Sequence, residues 1–174
     1  MKIEGFTKGL LQRDVTIERP DGPLTLKLTA LPIGFMEQLE RDIPSPVPKQ
    51  IGWLRTRGNR GSFIKGSDGR MVPELNNEDP KFKLAEEIAR RLQNILCITE
   101  ALRGESKIEF ATKLAGSKSR LAYAEGLLAE FLAFGFSFGD LGKLVVATID
   151  VSGVTGDKIQ AARESFLSED ATLD

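Results

Sequence analysis

Residues 14–31, DVTIERPDGPLTLKLTAL, alternate apolar and polar positions along the chain. Val15 and Ile17 separate from Thr16 and Glu18, and Leu24, Leu26 and Leu28 separate from Thr25, Lys27 and Thr29, as a strand with one buried face requires. Between the two runs, Pro20-Asp21-Gly22-Pro23 carries turn chemistry, Pro setting φ and Gly accepting positive φ. The stretch predicts a β-hairpin.

The pattern then changes to a helical one. A short helix is expected over 34–42, with Met36, Leu39 and Ile43 on one face. Pro44, Pro46 and Pro48 end it, because each removes a backbone donor and favours an extended path. Further on, SFIK and RMVP flank GSDG, which predicts a second, smaller hairpin. Asp79 as N-cap and Pro80 at the first helical position open a long helix. Its stripe is Ala85, Ile88, Ala89, Leu92, Ile95, Leu96, Thr99 and Leu102, and Glu86–Arg90 and Glu87–Arg91 are favourable pairs on the wet side. Gly104 is the expected stop.

Three more helices are expected. Ser106 with Glu109 has the spacing of a capping box and predicts a short helix ending at Gly116. Another should cover 118–134, with Leu121, Ala124, Leu128, Phe131 and Leu132 as its stripe. Ser137 with Asp140 repeats the cap signal ahead of Leu141, Leu144, Val145 and Thr148. LVVATI is β-branched and suits a strand, but the capped start and the spacing favour helix. Thr155 caps a last helix carrying Ile159, Ala162 and Phe166. The expected architecture is α+β: an N-terminal hairpin, a small second hairpin, and a helical C-terminal half. A single domain divides into hairpin and short helix (1–43), Pro-rich break and basic flap (44–79), helical region (80–167) and polar tail (168–174).

Charge narrows the choice of function. With 24 Lys and Arg against 25 Asp and Glu, the net charge is -1, so the whole molecule does not attract nucleic acid or anionic membrane and any electrostatic recognition is local. There is no His and one Cys, which removes Ser-His-Asp and Cys-His catalysis, His-ligated metals and zinc–thiolate sites. Cys97, between apolar neighbours, reads as a buried thiol. The first residues lack the apolar run of a signal peptide, and the longest apolar stretch, LLAEFLAFGFSF, is too short to span a bilayer. A cytoplasmic protein is expected.

The local charge lies in IGWLRTRGNRGSFIKGSDGR, where Arg55, Arg57, Arg60, Lys65 and Arg70 face a single acid, Asp68. Three motifs are brushed without being completed. GSFIKGS has the glycine spacing of a phosphate loop, but Lys65 precedes the last Gly instead of following it. Ser62 and Lys65 form S-x-x-K without the companion motifs of that chemistry. Trp53 and Phe63 among the cations have the composition of a nucleic-acid surface. A protein-binding flap and a solvated loop remain open beside that reading. Glu74, Glu78 and Asp79 cluster, and the helix cap accounts for Asp79. Neither a catalytic site nor a cofactor or metal site is expected.

A second concentration lies at FLAFGFSFGD, where Phe131, Phe134, Phe136 and Phe138 surround Gly135 and lead to Leu141. These rings are either the core between two helices or an anchor for another chain.

The order of these features resembles the tail assembly chaperones of long-tailed bacteriophages over about residues 14–167. The features are the hairpin, a short helix bearing MEQLERD, the Pro-rich break, a charged insertion ending NNEDPKF, the long amphipathic helix, the Gly135-Phe136-Ser137 turn leading to Asp140-Leu141, and VSGVTGDKIQAARESF. The resemblance implies a non-enzymatic protein of the host bacterial cytoplasm. Such a protein coats the helical tape measure protein, keeps it soluble before tail tube subunits polymerise, and is absent from the virion. Some members are also made in a longer frameshifted form that recruits the tube protein. Self-association along the client is compatible with that role, and the resemblance supplies no role for residues 51–70. Two alternatives remain: a structural tail or baseplate adaptor of the virion, and a small nucleic-acid-binding accessory using Arg55, Arg57, Arg60 and Lys65.

Overall fold

The computed structural model describes residues 11–20, 22–56 and 61–153. The element order is β1 (Gln12–Ile17), β2 (Leu24–Thr29), α1 (Phe35–Asp42), β3 (Gln50–Trp53), β4 (Pro73–Leu75), α2 (Pro80–Ala101), α3 (Arg120–Ala133) and α4 (Phe138–Val151). This is the expected α+β architecture, with two two-stranded antiparallel sheets and four α-helices among the described residues. Contacts divide the chain into two compact units: Met1–Pro44 with Arg90–Asp174, and Ser45–Ala89. The predicted last helix, with Thr155, Ile159, Ala162 and Phe166, lies outside the described residues, as does the polar tail.

In the first unit, β1 and β2 pair in the register that period two requires, Ile17 opposite Leu24 and Val15 opposite Leu26. Ile17, Leu26 and Leu28 are fully buried. The turn closes where the Gly22 N–H donates to the Arg19 carbonyl at 3.0 Å. Helix α4 packs on both strands. The β-branched run is helical because the Ser137–Asp140 capping box forms and Leu141, Leu144, Val145 and Thr148 share the buried side. Thr148, the buried polar residue of this core, is satisfied within its own helix: its hydroxyl donates to the Leu144 carbonyl at 2.8 Å. Ser152 then ties helix to hairpin, donating to the Thr148 carbonyl and accepting the Leu31 N–H at 3.0 Å.

Helix α2 starts as expected, the Asp79 carboxylate accepting the Lys81 N–H at 2.9 Å. Of its stripe, Leu92, Ile95, Leu96 and Leu102 are buried, as is Cys97 beside them; Ala89 and Thr99 are half-buried, and Ala85 and Ile88 are exposed. In α1, Phe35, Leu39 and Ile43 are buried and Met36 is half-buried, so the inner face is turned one position from the predicted one. Helix α3 is turned as well: Ala124, Leu127 and Phe131 face inward while Leu121 and Leu132 are exposed.

One predicted helix does not form. Residues 105–113 follow no helical path, and only Leu114–Gly116 makes a 3-10 turn. The capping spacing of Ser106 and Glu109 is outweighed by carboxylates elsewhere. The N–H groups of Ala111 and Thr112, which a helix would aim at Lys107 and Ile108, donate instead to the Glu130 carboxylate of α3. Glu105 accepts the N–H groups of Lys107 and of Lys27 in β2, at 3.1 and 2.7 Å. Gly126 makes the approach possible, since a Cβ there would lie 2.9 Å from the Thr112 methyl group.

Candidate functional site

The Phe-rich turn is built from two helix-end motifs set back to back. The Phe136 N–H donates to the Phe131 carbonyl at 3.0 Å and the Gly135 N–H to the Leu132 carbonyl at 2.9 Å. That pair of bonds is a Schellman stop for α3, and Gly135 supplies its left-handed residue at φ +77°. Gly135 is therefore the C-terminal cap of α3. The apolar contact that accompanies such a stop is Phe131 against Phe136, ring centroids 5.2 Å apart and edge-to-face. Phe110 packs edge-on against the other side of Phe131 at 5.2 Å. Ser137 and Asp140 then open α4 at once.

This geometry sorts the candidate residues. Phe131, Phe136 and Leu141 are buried, so they form core and present no surface to another chain. Phe138 is half-buried, with the Arg91 guanidinium 4.9 Å above its ring. Phe134 alone of this set stands free, 71% exposed. Its neighbourhood includes a groove of about 610 Å³ lined by Arg19, Leu24, Lys107, Ile108, Phe110 and Phe134, among others.

Arg19, which no sequence motif singles out, organises one wall of that groove. Its guanidinium sits 4.2 Å above the Phe136 ring and donates to the Gly135 carbonyl, anchoring the hairpin end to the α3–α4 turn. Two carboxylates fix the opposite wall. Burial pushes the Glu130 pKa up, but hydrogen bonds from the Thr112 hydroxyl and the Ala111 and Thr112 N–H groups, with Lys113 nearby, hold it below the ordinary value. Glu105 is likewise lowered, chiefly by the Lys27 and Lys107 N–H groups. Both carboxylates are thus structural clamps on the segment 105–113.

The second concentration, in the Ser45–Ala89 unit, has a different character. Beyond β3 and β4, Arg55 bridges to Phe63 and Lys65 to Met71, so three short extended segments pair with one another. At their junction the backbone bonds form a ring: Leu54 donates to Val72, Val72 to Ile64 and Ile64 to Leu54, each at 2.9 Å. The predicted hairpin around GSDG is present, its turn closed by the Gly66 N–H on the Arg70 carbonyl and by Gly69 at φ +75°. The outer pairing of β3 with β4 extends it. The Thr56 N–H meets the Ser62 carbonyl at 2.9 Å, closing the strands at their other end. A side chain at Gly61 would place Cβ 2.0 Å from the Thr56 carbonyl oxygen, so that closure requires glycine.

Cross-strand partners share a face and successive residues alternate. The pairings therefore put Trp53, Arg55, Phe63, Lys65 and Met71 on one side of this small sheet and Leu54, Ile64 and Val72 on the other. Trp53, Phe63 and Met71 are each about 40% exposed. Arg70 lies in the exposed turn, 3.7 Å from Asp68. Arg57 and Arg60 lie outside the described residues. Among the described residues, this unit contributes no side chain to the buried apolar core.

The partial catalytic motifs acquire no geometry. Ser62 and Lys65 lie in an extended segment, where an odd separation sends side chains to opposite faces, and not one helical turn apart. Gly61 to Ser67 crosses that segment and its turn without opening a helix. Among the described residues no group of three or more metal-ligating side chains is assembled, and no helix is long and apolar enough to cross a membrane. Comparison with protein-family models, with curated proteins and with solved structures finds no match to this chain.

Proposed function

We propose that the chain is a non-enzymatic binding protein that holds a long helical client, in the manner of the phage tail assembly chaperones it resembles. In this reading the client is a tape measure protein, kept soluble in the host bacterial cytoplasm until tail tube subunits are recruited. The observation that carries the proposal is the Ser45–Ala89 unit, whose Val47, Ile51, Trp53, Phe63, Met71 and Leu84 are all exposed and which buries no apolar core among the described residues. A folded segment with so much uncovered apolar surface is suited to covering another chain. Leu84 and Ile88, in the first turns of α2, are exposed as well.

Co-expression with a phage tape measure protein, followed by pull-down, tests the reading. A soluble, stoichiometric complex is expected; a client that stays insoluble with nothing eluting beside it overturns the proposal. A second reading, a tail or baseplate adaptor that inserts its small sheet between neighbours, draws on the same two-sided sheet. Mass spectrometry of purified particles separates the two, because a chaperone is missing from the virion and an adaptor is present.

A further inference from the structure

The two faces of the small sheet differ in charge as well as shape. Arg55 and Lys65 project on the side of Trp53, Phe63 and Met71, and no acidic residue shares that side among the paired positions. Glu74, opposite Gly52, projects on the other side. The Arg55 guanidinium lies 4.4 Å above the Phe63 ring, a cation–π contact that sets the cation beside the apolar side chains. The result is a face of alternating large apolar and cationic side chains. It forms on a protein whose net charge is -1, so the positive character belongs to the patch and not to the molecule.

We propose that this face is a docking surface for an acidic amphipathic segment of another protein, its apolar side chains set against Trp53, Phe63 and Met71 and its carboxylates against Arg55 and Lys65. Charge complementarity selects the occupant. A basic or neutral apolar segment would leave Arg55 and Lys65 beside apolar surface without counter-charges, which costs affinity. A nucleic acid would also satisfy the cations, but Arg55 covers one face of the Phe63 ring and Met71 offers no stacking plane, which leaves Trp53 as the one ring on this face with no cation over it among the described residues. The inference rests on the reading of the chain as a binding protein and adds to it the surface and the sign of the partner.

Trp53 is the one tryptophan of the chain, which places a fluorophore in the proposed interface. The experiment titrates the full chain with a synthetic helical peptide bearing Leu and Phe on one face and Glu on its flanks. A twin with every Glu replaced by Lys, and an oligothymidylate, are titrated in parallel. The Glu peptide should shift Trp53 emission to the blue, saturably, with affinity that falls as salt is added, and the Lys twin should leave it unchanged. Arg55→Glu with Lys65→Glu should weaken the Glu peptide by about tenfold or more, and Met71→Asp should weaken it while thermal unfolding stays as in the parent. Equal binding of the two peptides, or emission that does not move at saturating Glu peptide, overturns the proposal. A larger response to oligothymidylate overturns it in favour of nucleic acid. If the peptide fails while the tail client still co-purifies, this face is wrong and the chaperone reading stands; the reverse pattern removes the tail client and keeps the face.

Discussion

Arg19 lies with its guanidinium carbon 4.2 Å above the centroid of the Phe136 ring, far from it in sequence. The same side chain donates to the Gly135 carbonyl, so one residue at the hairpin end holds both the ring and the backbone of the helix stop. Truncation by Arg19→Ala removes a cation–π contact and a charged hydrogen bond together, an expected loss of about 1–3 kcal/mol in chemical denaturation. Arg19→Lys keeps the charge but not the planar contact, and should recover only part of it. Equal stability of Arg19→Ala and parent would show that the contact is incidental.

Two phenylalanines separated by Gly135 should behave in opposite ways. Phe136 is 8% exposed and packs on Phe131, whereas Phe134 is 71% exposed. Phe136→Ala should cost about 3–5 kcal/mol, and Phe134→Ala should stay within about 0.5 kcal/mol. Melting both variants beside the parent reads the difference directly. A large loss at Phe134 would mean that its ring is covered.

Glu130 gives the fold a defined acid sensitivity. Its pKa in the folded chain lies below the ordinary 4.5, so its contribution is complete above that pH and is lost as pH falls through the lowered value. Glu130→Gln should cost about 1 kcal/mol at neutral pH, solvent screening keeping the loss modest. The gap between variant and parent should then close on acidification, when the parent also loses its charge. Urea titrations at neutral pH and below pH 4.5 measure this, and a gap that does not change with pH would place the role of Glu130 elsewhere.

Gly61→Ala tests the closure of the small sheet. The added Cβ meets the Thr56 carbonyl oxygen at 2.0 Å, so backbone must move, which should weaken the neighbouring Thr56–Ser62 bond. Trypsin cleavage after Arg55 and Lys65 should accelerate several-fold through local opening, with less effect on global unfolding. Unchanged cleavage would mean that the closure does not limit access.

The N-terminal hairpin and the starts of α2 and α4 were legible in the sequence because their signals are local. The alternation of Val15, Ile17, Leu24, Leu26 and Leu28 sets the hairpin, and Asp79-Pro80 and Ser137–Asp140 start their helices through bonds within one turn. The candidate surfaces were legible only in part. The Phe cluster was visible as a cluster, but burial of Phe136 and exposure of Phe134 depend on which rings Phe110 and Arg19 meet. Those partners lie far off in sequence, where no periodicity points to them.

By itself, then, the sequence determined the class of fold, the N-terminal hairpin, the starts of α2 and α4 and the cationic character of residues 51–70. Tertiary structure alone decided the path of residues 105–113, where Glu130 took the N–H groups that a local helix would have used. It also turned the buried face of α3 from Leu121 and Leu132 to Leu127 and, by pairing Arg55 with Phe63 and Lys65 with Met71, put cations and large apolar side chains on one side of a sheet. The physical reason is the range of the forces. Caps and turns are satisfied within a few residues, whereas burial and cross-strand pairing are settled by whichever distant segment arrives.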